Sequence, residues 1–202
     1  MKSYPSIPRN IKTGLFYAFD KLDGSNIRVE WSRKAGFYKF GTRKRLLDES
    51  DPILGPAKPL FLERYEESLG EIARSQRWER AVFFCEFFGP SSFCGAHDSD
   101  EEKEVLLIDV NVHKKGILGP RDFLSVFEDV PHAPLLHHGM IDDDFVRSVR
   151  ESTLEGMTFE GVIVKGVPDK KGPGMFKIKS NAWLNALKTQ CGEDDNLFER
   201  LK

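Results

Sequence analysis

The sequence predicts an α+β fold, in which largely antiparallel sheets have helices packed outside them. Three observations favour this class. The first 47 residues alternate apolar and polar side chains, with breaks at "DGSN" and "RKAG" that suit hairpin turns. Later apolar runs have the length of strands, and other segments have the three- and four-residue spacing of helices. The order of these elements is that of an α+β protein.

The first predicted helix follows a loop punctuated by proline and glycine. The segment "LFLERYEESLGEIARSQR" spaces Leu62, Tyr65, Leu69, Ile72 and Ala73 at helical intervals. The next two apolar runs, "AVFFCEFFG" and "VLLIDVNV", are predicted to be buried strands because they are short and almost wholly apolar.

The second half of the chain predicts three helices and two strands. "GPRDFLSVFEDV" begins a helix with Pro120 in its first turn, and "IDDDFVRSVRESTL" begins one with aspartates, which suit a helix N-terminus. "EGVIVKGV" and "GMFKIKS" are predicted strands, and "NAWLNALKTQCG" is a helix that ends near Gly192. We expect His137 and His138 to lie in an exposed turn.

Composition predicts a single domain spanning residues 1–202. Apolar residues make up 40% of the sequence, enough for a core, and the net charge of −2 lacks the strong basic excess of proteins held to nucleic acid by charge alone. Three cysteines, an odd number, indicate a reducing compartment. Because the N-terminus lacks an apolar signal core and no apolar run approaches about 20 residues, we expect a soluble, cytoplasmic protein with no membrane association.

Charged residues inside apolar strands are the first sign of a site. Glu86 is the one charged residue in "AVFFCEFFG", where a carboxylate is unfavourable unless it is paired. Lys177 and Lys179 lie two apart in a strand and therefore point to the same face. Two like charges side by side disfavour folding unless an anion lies between them, and a phosphate is the obvious candidate.

Each of these signals also has an ordinary structural explanation. Lys21, in "FDKLDGSNIRVEW", suits a salt-bridged surface hairpin, a lone glutamate in a strand is often an edge residue, and a K-x-K pair is often a solvated face. The ordered set is far less expected by chance than any member alone. That set is K-x-D-G-x-N, then T-R, then a glutamate between aromatics, then E-G-V-I-V-K, then K-I-K.

This ordered set resembles the covalent nucleotidyltransferase superfamily, which comprises ATP-dependent DNA ligases, RNA ligases and mRNA capping enzymes. The resemblance spans Asp20 to Ser180, and Lys21-Leu22-Asp23-Gly24 matches the nucleophile motif. Asn26, two residues after the glycine, is more similar to the RNA ligases. The remaining motifs match at Arg43 in "GTRKR", Glu86 in "FFCEFFG", Glu160 and Lys165 in "EGVIVK", and Lys177 and Lys179 in "FKIKS".

The resemblance implies a nucleotidyltransferase fold, similar to ATP-grasp folds, and a covalent chemistry. Lys21 would attack the α-phosphate of ATP, and because free lysine has a pKa of about 10.4, nearby cations and burial must favour its neutral form. ATP and Mg²⁺ (or Mn²⁺) are the implied cofactors, with Glu160 and Asp23 as metal residues. The implied ATP- or AMP-binding residues are Asp20, Lys21, Asp23, Asn26, Arg43, Glu86, Ile108, Glu160, Lys165, Lys177 and Lys179.

Individual roles follow from the same resemblance. Lys177 and Lys179 would hold the α-phosphate, and Glu86 and Arg43 would contact the ribose or its surroundings. Asp23 and Asn26 would orient the lysine loop or the water shell of the metal. Strict alternation puts Lys165 on the opposite face from Glu160, so that a bulge or a later start of the strand is needed to bring the two together.

The sequence departs from the family pattern in two places. The family has an aromatic side chain that stacks on the purine, whereas "VLLIDVNV" has Ile108 or Leu106 at that place. Stacking worth about 1–3 kcal/mol would be weakened there. Only 22 residues follow Ser180 in the chain of 202, too few for the oligonucleotide-binding (OB) barrel that follows the catalytic domain in DNA ligases and capping enzymes. We therefore expect an RNA ligase-like domain without a C-terminal OB-fold.

The expected function is an ATP-dependent RNA ligase. AMP would pass from Lys21 to an RNA 5′-phosphate, and a 3′-hydroxyl would then seal the strand. The expected partners are ATP, an RNA with 5′-phosphate and 3′-hydroxyl ends, and a protein supplying further RNA contacts. Three alternatives stay open: a GTP-using, capping-like guanylyltransferase, a DNA end-adenylating enzyme, and a non-catalytic module that binds nucleotide or RNA.

Overall fold

The predicted α+β class is confirmed by a computed structural model, which describes residues 1–90, 94, 97, 100–167 and 174–202. The described strands are β1 (Gly14–Asp20), β2 (Gly24–Ser32), β3 (Gly36–Thr42), β4 (Arg80–Phe88), β5 (Glu104–Val112), β6 (Gly116–Ile117), β7 (Leu135–Ile141), β8 (Gly161–Lys165) and β9 (Met175–Lys179). The described helices are α1 (Ala57–Ser75), α2 (Pro120–Val126), α3 (Asp143–Arg150), α4 (Asn181–Cys191) and α5 (Asp195–Leu201).

The chain divides into two compact units, each built on one antiparallel sheet. The first unit comprises Met1–Ser6, Ser25–Gly89 and Glu102–His132, and the second comprises Ile7–Gly24, Pro90–Glu101 and Ala133–Lys202. The organisation of residues 1–202 as a single domain stays a prediction. Within the described residues, no helix combines the length and apolar character needed to cross a lipid bilayer.

The first unit contains a five-stranded sheet with the order β3-β2-β4-β5-β6. Helix α1 packs on it through buried side chains at successive turns; Tyr65, Leu69 and Ala73 are buried as the apolar spacing predicts, whereas Leu62 and Ile72 are only partly buried. Tyr65 fixes the helix in place, because its buried hydroxyl donates to Pro131 O at 2.8 Å and accepts from Leu107 N at 3.1 Å. The pairing of β4 with β5 shifts register between Phe84 and Cys85, which leaves Ile108 as the extra residue of a β-bulge.

The second unit contains a four-stranded sheet with the order β7-β1-β8-β9. One face of this sheet forms a core cluster with helix α3, and its buried members are Ala18, Ile141, Phe145, Val146, Val149, Val162, Val164, Phe176 and Ile178. In β9, Phe176 and Ile178 point into this core, so Lys177 and Lys179 share the other face, as the alternation of the strand predicts.

Three elements differ from the sequence-based expectations. His137 and His138 lie in strand β7 and not in a turn; β7 pairs with β1, and His138 stacks on Tyr17 with ring centroids 3.9 Å apart. Pairing with a distant strand therefore overrides a local sequence that has no strand signal. Strand β6 and helix α5 were not predicted, since two residues and seven residues carry too little periodicity to recognise.

Candidate functional site

Lys21 lies directly after strand β1 and next to the start of β8. Its backbone N–H donates to Gly161 O, at the start of β8, at 2.9 Å. This hydrogen bond holds Lys21 beside Glu160, the residue that precedes the strand. The side chain, 21% exposed, places Nζ 2.6 Å from Glu160 Oε2. The sequence-predicted nucleophile and the sequence-predicted acid are therefore in direct contact.

Glu160 joins Lys21 to Lys179. Its Oε1 lies 2.9 Å from Lys179 Nζ, while Oε2 accepts from Lys21. The Glu160 side chain is only 5% exposed, and a buried carboxylate is strongly unfavourable unless cations or donors pair with it. We refer to this arrangement as the Lys21–Glu160–Lys179 chain; it is the centre of the site in the second unit.

The position after Glu160 requires a glycine, Gly161. Its φ of +128° is in the region that side chains rarely adopt, and a Cβ there would lie 2.2 Å from Ile178 O and 2.8 Å from the Cα of Lys179. Only glycine lets β8 approach β9 this closely. Because β8 begins at Gly161, Glu160 precedes the strand and is not bound by its alternation.

Asp20 binds the segment that leads into Glu160. Its two carboxylate oxygens accept hydrogen bonds from the backbone N–H of Thr158 at 3.1 Å and from its hydroxyl at 2.8 Å. Burial raises the pKa of Asp20, and the Thr158 hydrogen bonds oppose that rise. Asp20 therefore ties the end of β1 to the segment that leads into Glu160.

Lys179 is a strongly perturbed cation of the site. Burial lowers the pKa of Lys179 to about 8; Glu160 opposes this shift, and the positive charge of Lys21 adds to it. The Lys179 Nζ lies 3.3 Å from the ring centroid of Trp183, so the indole face also contacts the ammonium. Such a buried cation has a strong electrostatic effect on a nearby anion, since little water screens it.

The end of helix α5 contacts the two lysines of β9. Lys177 Nζ donates to Lys202 O, and Lys179 Nζ donates to Leu201 O, each at 3.3 Å. Carbonyl oxygens at a helix C-terminus carry partial negative charge and attract cations. Two oxygen acceptors thus lie against the lysine pair that the sequence assigns to a phosphate.

Asp23 provides a second carboxylate close to Glu160. Burial raises the pKa of Asp23, and the negative charge of Glu160 acts in the same direction. Asp23 Oδ2 is buried without a hydrogen-bond partner; the indole of Trp183 lies close enough to oppose the pKa shift but makes no hydrogen bond. A divalent cation would relieve both the orphaned oxygen and the repulsion, so these two carboxylates fit one.

No larger metal site occurs in the described part of the chain. Among those residues, no group of three or more histidine, cysteine, aspartate and glutamate side chains is placed to hold a metal ion. Magnesium is typically bound through one or two carboxylates together with water and substrate phosphates, and Asp23 and Glu160 are compatible with that mode.

Lys165 lies at the end of β8, opposite Tyr17. Its Nζ is 4.5 Å from the ring centroid of Phe19 on β1, and the residue is only 3% exposed. The role expected of Lys165 toward a nucleotide stays a prediction.

The other expected nucleotide-binding residues belong to the first unit. Asn26 Nδ2 donates to Cys85 O at 3.4 Å, while its Oδ1 is buried without a partner. Arg43 is exposed and donates to Pro5 O at 3.4 Å. The roles of these residues, together with those of Glu86 and Ile108, stay predictions.

Tyr4 is a residue that the sequence did not single out. Its ring packs on Phe84 at a centroid distance of 4.9 Å, and its hydroxyl donates to Asp109. Burial raises the pKa of Tyr4 well above 10, and the charges of Asp109 and Glu86 add to the effect. Asp109 itself is 1% exposed in β5. In the sequence, the signal for the Tyr4–Asp109 pair is the charged Asp109 within the apolar run "VLLIDVNV".

Trp183 and Ser180 were also missed. Ser180 caps α4, because its hydroxyl accepts from Trp183 N at 3.0 Å and donates to Phe159 O at 2.6 Å. Trp183 lies in the first turn of the capped helix α4, and its ring contacts the ammonium of Lys179. A serine between a strand and a helical segment is a recognisable capping signal.

The sequence model of the RNA ligase family matches residues 14–179. No curated protein sequence matches the chain. Among solved structures, the chain is similar to RNA ligases of Naegleria gruberi. One variant, solved with ATP and manganese, has a TM-score of 0.62 and 18% identity, with 85% of this chain and 51% of that chain covered.

Two further Naegleria gruberi RNA ligase structures are comparable. A variant solved with AMP and manganese has a TM-score of 0.63 and 18% identity, with 85% and 51% of the two chains covered. The ligase solved with pyrophosphate has a TM-score of 0.59 and 19% identity, with 87% and 52% covered. The chain thus spans about half the length of these proteins. At this identity the likeness shows the fold, and it confirms the predicted nucleotidyltransferase fold.

Proposed function

The chain belongs to the RNA ligase family, and on that premise we propose that it is an ATP-dependent RNA ligase that forms lysyl-AMP on Lys21. One observation carries the proposal: the Lys21–Glu160–Lys179 chain joins the expected nucleophile, an acid and a phosphate-binding cation in direct contacts of 2.6 Å and 2.9 Å. A salt-bridged surface hairpin would not need the nearly buried Glu160 and Lys179.

In the first step, the neutral amine of Lys21 attacks the α-phosphorus of ATP. An N–P bond forms, the bond to the bridging oxygen of the β-phosphate breaks, and pyrophosphate leaves. The amine first loses a proton, and Glu160 Oε2 is an acceptor within hydrogen-bond reach. The positive charges of Lys21 and Lys179 oppose each other in the site.

Lys177 and Lys179 stabilise the charge that develops on the α-phosphate. Both ammonium groups donate to carbonyl oxygens at the end of α5, and phosphate oxygens would replace these acceptors. Preorganised donors of this kind typically contribute about 2.7–4 kcal/mol to transition-state stabilisation. Because Lys179 is held by Glu160 and Trp183 before the nucleotide binds, little reorganisation is required.

Asp23 and Glu160 would hold a divalent cation, Mg²⁺ or Mn²⁺. Such an ion neutralises phosphate charge when bound. The orphaned Oδ2 of Asp23 and the mutual repulsion of the two carboxylates support this assignment. The Naegleria gruberi ligases that were solved with ATP or AMP and manganese support both cofactors.

The later steps would act on RNA. AMP passes from Lys21 to an RNA 5′-phosphate, which leaves the amine free, and an RNA 3′-hydroxyl then attacks that phosphate and releases AMP. The family supports RNA as the substrate. A protein partner that supplies RNA contacts, a cytoplasmic location, and adenine contacts from Ile108 are predictions of the same proposal.

Covalent labelling tests the proposal directly. The wild type, incubated with α-³²P-ATP and Mg²⁺ or Mn²⁺ and resolved on a denaturing gel, should carry label that Lys21→Ala lacks. Lys12→Ala, at an exposed lysine before β1, is the matched control and should label normally. Circular dichroism should show that both variants remain folded.

Each alternative gives a different result. Label from α-³²P-GTP alone would indicate a capping-like guanylyltransferase, and adenylylated DNA with no adenylylated RNA would indicate a DNA end-adenylating enzyme. RNA binding without any covalent label would indicate a non-catalytic module. Label that persists in Lys21→Ala would contradict the assigned nucleophile.

A further inference from the structure

Two turns and the start of one strand bring basic residues to one end of the sheet of the first unit. The β2–β3 turn carries Arg33 and Lys34, and the β5–β6 turn carries His113 and Lys114. The start of β4, at Arg80, lies between them, because Arg33 N donates to Glu79 O and His113 N donates to Arg80 O, each at 3.0 Å. The sheet order β2-β4-β5 thus assembles a cluster that is dispersed in the sequence.

These residues line a cleft with a volume of about 500 Å³, which we call the turn cleft; it is formed by Ser32, Arg33, Lys34, Glu79, Arg80, His113 and Lys114. Four of the seven are arginine or lysine and one is an acid, although the chain as a whole has a net charge of −2.

We propose that the turn cleft binds the phosphate backbone of RNA. Lysine and arginine side chains that converge on a concave surface attract phosphates regardless of base sequence. The inference rests on the proposed function, which requires an RNA partner, but it assigns a binding surface that the adenylation chemistry does not use. Along β2, the cleft residue Ser32 lies six residues after Asn26, which is a distance of about 20 Å.

The backbone at Lys114 supports the assignment. Lys114 has a φ of +67°, a conformation that glycine, asparagine or aspartate adopts more readily. The corresponding turn between β2 and β3 also ends in a glycine of positive φ, Gly36, and Gly116 closes the turn after Lys114. Lys114 therefore places a charged side chain at a left-handed position of the turn that lines the cleft.

Glu79, the acidic residue of the turn cleft, reduces its positive charge. Its carboxylate lies 3.3 Å from Arg33 Nε, and both side chains are substantially exposed. A phosphate would compete with this weak surface ion pair for the guanidinium. Removing the Glu79 charge should therefore strengthen RNA binding, whereas removing the cations should weaken it. Two changes of opposite sign distinguish a phosphate site from an incidental surface.

The test uses Arg33→Gln/Lys34→Gln/Lys114→Gln and a fluorescent single-stranded RNA of about 20 nucleotides with a 5′-phosphate, followed by anisotropy from 50 to 200 mM KCl. Three lost phosphate contacts should reduce the slope of log affinity against log salt by about 2 units, since each contributes about 0.7. The affinity advantage of the wild type should accordingly fall by about 10–20-fold across this salt range. Glu79→Gln should bind more tightly than the wild type at each salt concentration.

The matched control is Lys12→Gln/Arg147→Gln/Arg150→Gln, which removes three exposed charges from the second unit. The proposal is overturned if this control and the cleft variant bind RNA equally well. It is also overturned if, in a parallel assay with phosphatidylserine vesicles, the cleft variant loses vesicle binding while its RNA binding is unchanged. Covalent labelling with α-³²P-ATP in the absence of RNA separates the proposed function from RNA binding by the turn cleft. An unlabelled wild type whose RNA binding still depends on the cleft would refute only the proposed function, and labelled variants with unchanged RNA binding would refute only the cleft.

Discussion

Lys21 Nζ and Glu160 Oε2 lie 2.6 Å apart, although 139 positions separate the two residues in the chain. The contact depends on the pairing of β1 with β8, which brings the end of one strand beside the start of the other. Glu160 also contacts Lys179, so a single carboxylate compensates two ammonium groups. Much of the energetics of the site therefore depends on Glu160.

Glu160→Gln should destabilise the protein and slow lysine adenylylation. Removing the charge leaves the Lys179 ammonium buried without its carboxylate, and breaking a buried ion pair lowers the free energy of unfolding by up to about 3–5 kcal/mol. Urea unfolding measures the loss. The control is Glu104→Gln, which breaks the more exposed 3.0 Å pair with Arg64 and should change stability by no more than about 1 kcal/mol. Equal losses in the two variants would contradict the structural importance of Glu160.

Lys177→Ala and Lys179→Ala should each reduce the rate of covalent labelling by about 100-fold or more, as expected for loss of a preorganised charge donor. Single-turnover labelling with α-³²P-ATP measures the rate. Lys188→Ala removes a half-exposed lysine that pairs with Asp195 and should label at the wild-type rate. Near-normal rates in both β9 variants would remove these lysines from the phosphate site.

The buried Lys179 ammonium predicts a pH-dependent stability difference. The pKa of Lys179 is lowered from 10.5 to about 8 in the native state, so its charge destabilises the fold below pH 8. As the pH rises above 8, the native state loses the proton while the unfolded chain keeps it, and this penalty disappears toward pH 10.5. The wild type should therefore gain stability relative to Lys179→Met as the pH rises from 8 to 10.5.

Guanidinium chloride unfolding of the wild type and Lys179→Met across this pH range measures the difference. Comparison within one pair of proteins cancels the titration of the other groups. Lys188→Met is the control, because its side chain is about half exposed and its difference from the wild type should not change in the same way. A gap between wild type and Lys179→Met that is constant with pH would show that burial does not perturb Lys179.

Tyr4→Phe should lower stability by about 1–3 kcal/mol, because Asp109 loses the hydroxyl donor while remaining buried. Thermal unfolding followed by circular dichroism measures the loss. Tyr38→Phe removes a hydroxyl that donates to Glu30 at 3.0 Å from a 48% exposed ring, and it should change stability by no more than about 0.5 kcal/mol. Matching values for the two variants would mean that the Tyr4 hydrogen bond makes no net contribution.

The sequence by itself determined the elements with strong periodicity. Helix α1 and strands β4, β5, β8 and β9 were predictable, because burial of one face or of a whole strand imposes a recognisable apolar pattern. The lysine and acid motifs also predicted Lys21, Glu160 and Lys179 as candidate site residues, and these three side chains are in contact. Those motifs are short, local and ordered along the chain, and a sequence displays such features directly.

Only the tertiary structure decided which of these side chains meet. Strand pairing brings Lys21 to Glu160, and the closeness of β8 and β9 at Gly161 brings Glu160 to Lys179. Strand β7 and the turn cleft likewise arise from pairings between distant segments, for which the sequence has no local signal. The physical reason is that hydrogen bonding across a sheet and the screening of buried charge depend on spatial neighbours, which sequence order does not specify.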